Sequence, residues 1–196
     1  MSESEKDTGK RQSQWSFIML VRVEQFYKRI NRVAGRVLAV VLVLMTVNVF
    51  FDVIMRYFFH NSSVGMQEME WHLFSIVILF GVSVSLLEEE HVRVDFLYDR
   101  FKPTTRALIN IYGTIFLLLP LAMLIFFGSF GFVRDAWEIG EISEDPGGLK
   151  YRWLIKGMIP MAFGYLIFSS VGYLVKNINL YRVFRENASG SAGEVK

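Results

Sequence analysis

From Ala107 to Val133 the chain carries no Asp, Glu, Lys or Arg. A bilayer is crossed by about 20 mostly apolar residues in a helix. Few soluble folds tolerate so long a run without charge. Three further runs share this character, at residues 33–55, 71–87 and 153–175. Charge touches them only near their ends, with Asp52 late in the first and Lys156 early in the fourth. Apolar residues make up 53% of the chain, only slightly more than in a soluble domain. Their distribution, and not their total, carries the argument. The fold class expected is an all-α integral membrane protein with four transmembrane helices. Helices satisfy every backbone group internally, which hydrocarbon requires. The third run would span roughly 40 Å against a hydrocarbon core of about 30 Å. It should tilt or bend, and Pro120 is its natural kink point. Pro160 falls in the early turns of the fourth run, where a proline does less harm.

Orientation follows from the basic residues. Sixteen of the 21 Lys and Arg fall in the stretch through Arg36, in the loop from Arg93 to Arg106, and from Lys176 onward. The other side holds only Arg56, Arg134, Lys150, Arg152 and Lys156. Basic loops stay cytoplasmic, so both termini are expected inside. Ahead of the first span, residues 15–32 mix Trp15, Met19, Val23, Phe26 and Ile30 with Arg22, Lys28, Arg29 and Arg32 at helical spacing. That pattern predicts an amphipathic helix in the headgroup plane. The domain plan is then a disordered tail at 1–14, the interfacial helix at 15–32, the membrane domain at 33–178 and a cytoplasmic tail at 179–196.

Several chemistries are disfavoured. The chain has no cysteine, which removes disulfides and thiolate metal sites. Its three histidines, His60, His72 and His91, lie at or near span ends, whereas a bis-histidine haem needs them inside the bundle. No phosphate loop, nucleophile triad or metal-ligand cluster appears, so neither an enzyme nor a bound cofactor is expected. A carrier acting alone usually has ionisable groups near the bilayer midplane, and the span middles lack them. Asn48 and Asp52 come nearest, and Asp52 is most simply paired with Arg56 one turn away. Glu138, Glu141, Glu144 and Asp145, followed by Pro146-Gly147-Gly148, read as a solvated external loop with a turn. Two function classes remain open: an accessory subunit of a larger membrane complex, or a small autonomous carrier or channel.

The segment from Arg56 to Asp95 narrows the choice. It carries Arg56-Tyr57 at the end of the first span, Glu68 before the second, Gly81 within it, and His91-Arg93-Asp95 after it. Arg152-Trp153, Ile155-Lys156 and Pro160 open the fourth span. In order and spacing these residues resemble the DctQ-type small membrane subunit of TRAP (tripartite ATP-independent periplasmic) transporters, across about residues 33–178. Gly65 and Gln67 depart from the Trp and Glu that many members carry. The resemblance implies a scaffold subunit in the bacterial cytoplasmic membrane. It would assemble with a large membrane subunit that holds the substrate and sodium sites, and a periplasmic binding protein would supply a small organic acid. Membrane lipids would surround it, and nucleic acid would have no part. The sodium gradient would be used by the complex. The candidate interface or structural residues are Asp52, Arg56, Glu68, Glu70, Gly81, His91, Arg93, Asp95, Arg152 and Trp153. Arg56 is expected to pair with Glu68 and Glu70 across the first hairpin, while His91, Arg93 and Asp95 share the inner interface.

Overall fold

The computed structural model describes residues 3–88 and 101–191. It consists of α1 (Glu3–Phe58), α2 (Val64–Glu88), α3 (Pro103–Gly113), a π-helical turn (Thr114–Leu118), α4 (Leu119–Glu138) and α5 (Trp153–Ser191). The third span is α3, the π turn and α4 in succession. Among the described residues four stretches are long and apolar enough to cross a membrane: Val21–Phe58, Val64–Leu87, Pro103–Glu138 and Trp153–Arg185. The expected all-α, four-span architecture is what the chain adopts.

The helices run past the boundaries of the expected segments. No break separates residues 15–32 from the first span, because α1 is continuous from Glu3 to Phe58. All four prolines lie at or beyond Pro103, so nothing in this stretch denies a backbone donor to the helix. Helix also extends into residues 1–14 from Glu3 and into residues 179–196 as far as Ser191.

The bundle turns its large apolar side chains outward. Phe50, Phe116, Leu124 and Phe127 are each 66–71% exposed, while Asn31, Ser83, Ser169, Ser170 and Asn177 are at most 2% exposed. Lipid is as apolar as leucine, so helices in a membrane associate through close contact of small residues and through interhelical hydrogen bonds. α5 is the hub of this packing. It touches α1, α2, α3 and α4, whereas the third span packs chiefly against α5 alone. Leu86, Leu87, Ala122, Leu166 and Tyr173 form the buried apolar cluster where these helices meet.

Pro120 acts on the third span through the turn just upstream. It lacks an N–H, so the carbonyl of Phe116 loses its usual donor. The backbone answers with a wider turn in which the Leu119 N–H bonds to the Thr114 carbonyl. That turn also repairs a register. The buried residues of the third span are Ala107, Thr114, Ala122, Ser129 and Ala136. They recur every seven residues except across the turn, where the step is eight. A regular helix would swing that step by roughly 100°. The extra residue held in the π turn keeps all five facing α5.

Candidate functional site

The end of the bundle where α1 and α4 close and α2 and α5 open forms the most elaborated polar region. α4 closes with a left-handed Gly140 (φ 62°), the Glu141 N–H bonding to Ala136 O and the Gly140 N–H to Trp137 O. This pair of bonds is a Schellman cap. The chain then makes a tight hairpin. The Ser143 N–H bonds to Leu149 O and the Arg152 N–H to Glu141 O, both at 3.1 Å. Its tip is Asp145-Pro146-Gly147-Gly148, closed by the Gly148 N–H on Asp145 O at 3.0 Å. Proline second and a positive-φ glycine third (Gly147, φ 85°) are what a type II turn requires.

Glu68, in the first turns of α2, holds this hairpin. Its carboxylate accepts hydrogen bonds from the Ser143 hydroxyl and the Leu149 N–H. Gly148 makes the approach possible, because a Cβ there would collide with Ser143 and lie 2.8 Å from Glu68 Oε2. Gly65 contributes in the same way, with its missing Cβ 3.3 Å from Gly147 O. On the far side, Glu141 accepts a hydrogen bond from Lys156 Nζ and lies 3.9 Å from Arg152 Nε. Lys156 also sits 4.0 Å from the centre of the Phe132 ring, and Trp137 meets Trp153 edge to face at 4.4 Å. The stretch Glu138 to Asp145 is therefore partly committed to internal pairing, beyond the solvated loop that its composition suggests.

Arg56 does not pair with Glu68. Its guanidinium is bonded to Asp52 on its own helix, and Asp52 is 3% exposed. The reach explains the correction: Asp52 is one turn away on the same face, while both Glu68 oxygens are already occupied by the hairpin. Asn48, one turn below Asp52, donates to Met66 O at 3.0 Å and ties α1 to the start of α2. Glu70 is half-buried beside this region. Gly81 faces no atom within 4 Å of where a Cβ would stand. His91, Arg93 and Asp95 lie outside the described residues.

A second polar layer, lower in the bundle, is absent from the sequence-based candidates. Asn31 donates to Val84 O at 2.8 Å and accepts from the Tyr165 hydroxyl at 3.1 Å. Asn110 donates to Asn177 Oδ1 at 2.7 Å, and Asn177 donates in turn to Tyr173 O. Together these bonds join α1 to α2 and α5, and α3 to α5. Asn110 stands within an apolar run and Asn31 and Asn177 just outside theirs, and in each pair the partner is more than 50 residues away.

Among the described residues no group of three or more His, Cys, Asp or Glu could hold a metal. The polar side chains of this bundle bind helices and a loop to one another. Fold and site thus define a helical membrane protein whose polar groups tie its elements together. The family model described as "Tripartite ATP-independent periplasmic transporters, DctQ component" matches residues 45–180, and the chain belongs to that family. It is a multi-pass protein of the bacterial inner membrane and, like its family, a transporter component. A putative TRAP transporter small permease protein of Haemophilus influenzae is 26% identical over 111 residues, 57% of this chain and 69% of that protein. The sialic acid TRAP transporter permease protein SiaT, also of Haemophilus influenzae, is 24% identical over 107 residues. That match covers 55% of this chain but only 17% of the relative.

Glu68→Ala is expected to release the hairpin. The Leu149 N–H and Ser143 hydroxyl would lose their acceptor, and tryptic cleavage after the exposed Lys150 should become faster in the purified protein. Cleavage at the wild-type rate would show that the hairpin stands without Glu68.

Proposed function

We propose that this chain is the small scaffold subunit of a sodium-coupled TRAP transporter for small organic acids, bound to a large multi-span subunit and served by a periplasmic binding protein. The observation that carries this reading is the use made of its polar groups. The hydrogen bonds of Asn31, Asn110, Asn177, Glu68 and Glu141 run between elements of the chain itself. A transport site instead needs unsatisfied ligands around a central cavity. The small share of SiaT that the chain matches supports the same division of labour, with substrate and sodium sites on a separate, larger partner. The hairpin over residues 141–152, fixed by Glu68, offers a firm external surface for the binding protein.

The test is reconstitution. Alone in liposomes with an inward sodium gradient, the chain should give no uptake of a carboxylate such as sialic acid or a 2-oxo acid. Sodium-driven uptake by the isolated chain would favour the autonomous carrier. Co-purification of a large multi-span protein from native membranes supports the scaffold.

The placement proposed has both termini in the cytoplasm, on the strength of the basic-residue bias. A cysteine at Ser143 should react with an impermeant thiol reagent supplied from the periplasm, and one at Ser191 should not. The opposite pattern would refute the placement.

A further inference from the structure

Four arginines of α1 share one outward stripe. Arg22, Arg29 and Arg36 are seven residues apart, and Arg32 lies between the last two at steps of three and four. Residues at this spacing stack along one helix face. All four are exposed. The opposite face is committed: Tyr27 packs on Phe168 with ring centres 4.6 Å apart, and Asn31 is bonded to Val84 and Tyr165. The nearest acid on the helix, Glu24, is taken by Lys28 at 2.7 Å. None of the four arginines has an ion pair among the described residues.

Their depth is the telling feature. Asn31 and Gly35 both touch Val84, the latter with its absent Cβ 3.5 Å from Val84 Cγ1. Arg32 and Arg36 therefore leave α1 level with Val84. The apolar run of α2 continues past that level to Leu87, about 4.5 Å further toward the membrane surface. Directly beside the stripe on α1 are Phe26, Val33, Val37 and Val40, each 54–60% exposed. Two guanidinium groups thus stand on a lipid-facing surface at the rim of the apolar layer, with no carboxylate among the described side chains to meet them. An unpaired charge there is costly, and a long side chain relieves it by reaching for headgroups. A guanidinium binds a phosphodiester in bidentate fashion, which an ammonium cannot do.

We propose that the Arg29, Arg32 and Arg36 face of α1, extended by Arg22, is a binding surface for anionic phospholipid. The phosphates would be clasped by the arginines and the acyl chains would lie along Val33, Val37 and Val40. This surface is distinct from the external hairpin and needs no partner subunit.

The experiment uses the full chain in vesicles of phosphatidylcholine containing spin-labelled phosphatidylglycerol or spin-labelled phosphatidylcholine. The lipid immobilised at the protein surface is measured for each label. Wild type should select the phosphatidylglycerol label by roughly fivefold or more, as expected for several basic residues at a membrane surface. Selection should fall as salt is raised. The Arg29→Gln, Arg32→Gln, Arg36→Gln triple variant should approach parity, and Arg134→Gln at the other end of the bundle should select as wild type does. Replacing the same three arginines by lysine should keep part of the selectivity. Equal association of the two labels with wild type overturns the proposal, whatever the variants do. So does full selectivity in the triple glutamine variant, and an acidic segment of a partner protein would then be the better candidate for the stripe.

Discussion

Gly172→Leu is expected to prise the N-terminal part of α1 away from α5. Gly172 is buried under Tyr27, and a Cβ there would lie 2.6 Å from Tyr27 Cγ and 2.9 Å from its Cβ. Those atoms sit close to the α1 backbone, so rotating the ring does not clear them. Relief needs a shift of α1 itself, which would break the Tyr27–Phe168 contact and pull Asn31 away from Val84 and Tyr165. Overpacking of this kind typically costs about 1–3 kcal/mol, and the lost hydrogen bonds of a buried Asn add about 1 kcal/mol or more. A higher helix propensity for leucine returns only about 1 kcal/mol. The measurement is the thermal midpoint of the purified protein in detergent, which should fall. Adding Tyr27→Ala should recover part of the loss, since it removes the obstructing ring. Gly157→Ala, where nothing lies within 4 Å, should be neutral or slightly stabilising. An unchanged midpoint for Gly172→Leu would show that α1 and α5 are not packed as described.

Arg56→Ala should have the second large effect, and its dependence on Asp52 is what discriminates. Asp52 is 3% exposed and its charge is balanced by Arg56 alone among the described groups. Removing one member of a buried pair leaves an uncompensated charge, typically at about 3–5 kcal/mol. Arg56 is itself half exposed, with a side chain 46% accessible, so solvent screening reduces the expectation to about 2 kcal/mol. Asp52→Asn removes the stranded charge, so the double variant Arg56→Ala with Asp52→Asn should be milder than the sum of the singles. Arg56→Ala combined with Glu68→Ala should be additive, because those residues have separate partners. Strong coupling of Arg56 to Glu68, with none to Asp52, would restore the pairing across the hairpin that the sequence alone suggests.

The contrast between Asp52 and Glu68 shows where sequence reading reached and where it stopped. Both carboxylates stand out in the sequence, and the Asp52–Arg56 spacing places the pair on one face of a helix. Glu68 was equally visible, but its acceptors' true donors are Ser143 and Leu149, about 80 residues on. Nothing local to Ser143 marks it as a partner. The turn that brings it there was legible, since Asp145-Pro146-Gly147-Gly148 can scarcely be anything else. Where the turn lands was not.

Helix continuity tells a similar story. A change from mixed to apolar composition near residue 32 suggested two elements, yet composition does not break a helix; only a missing donor or a costly backbone state does. With no proline before Pro103, α1 runs on. In the third span Pro120 is legible in the sequence as a disruption of the helix. The π turn upstream could be found only by learning which residues face α5, since the eight-residue step from Thr114 to Ala122 has no meaning until the buried face is known.

The four spans, the Asp145–Gly148 turn and the segregation of charge were determined by the sequence itself. Each rests on short-range physics: hydrocarbon excludes unpaired backbone and charge over any run of about 20 residues, whatever the rest of the chain does. Tertiary structure decided the rest. It chose α5 as the hub, Tyr27 as the residue seated on Gly172, the hairpin as the partner of Glu68, and the outward face for the arginine stripe. These outcomes depend on how helices rotate and slide against one another in contact. That choice is made by small residues and single buried amides, whose partners lie too far along the chain for any local pattern to reveal.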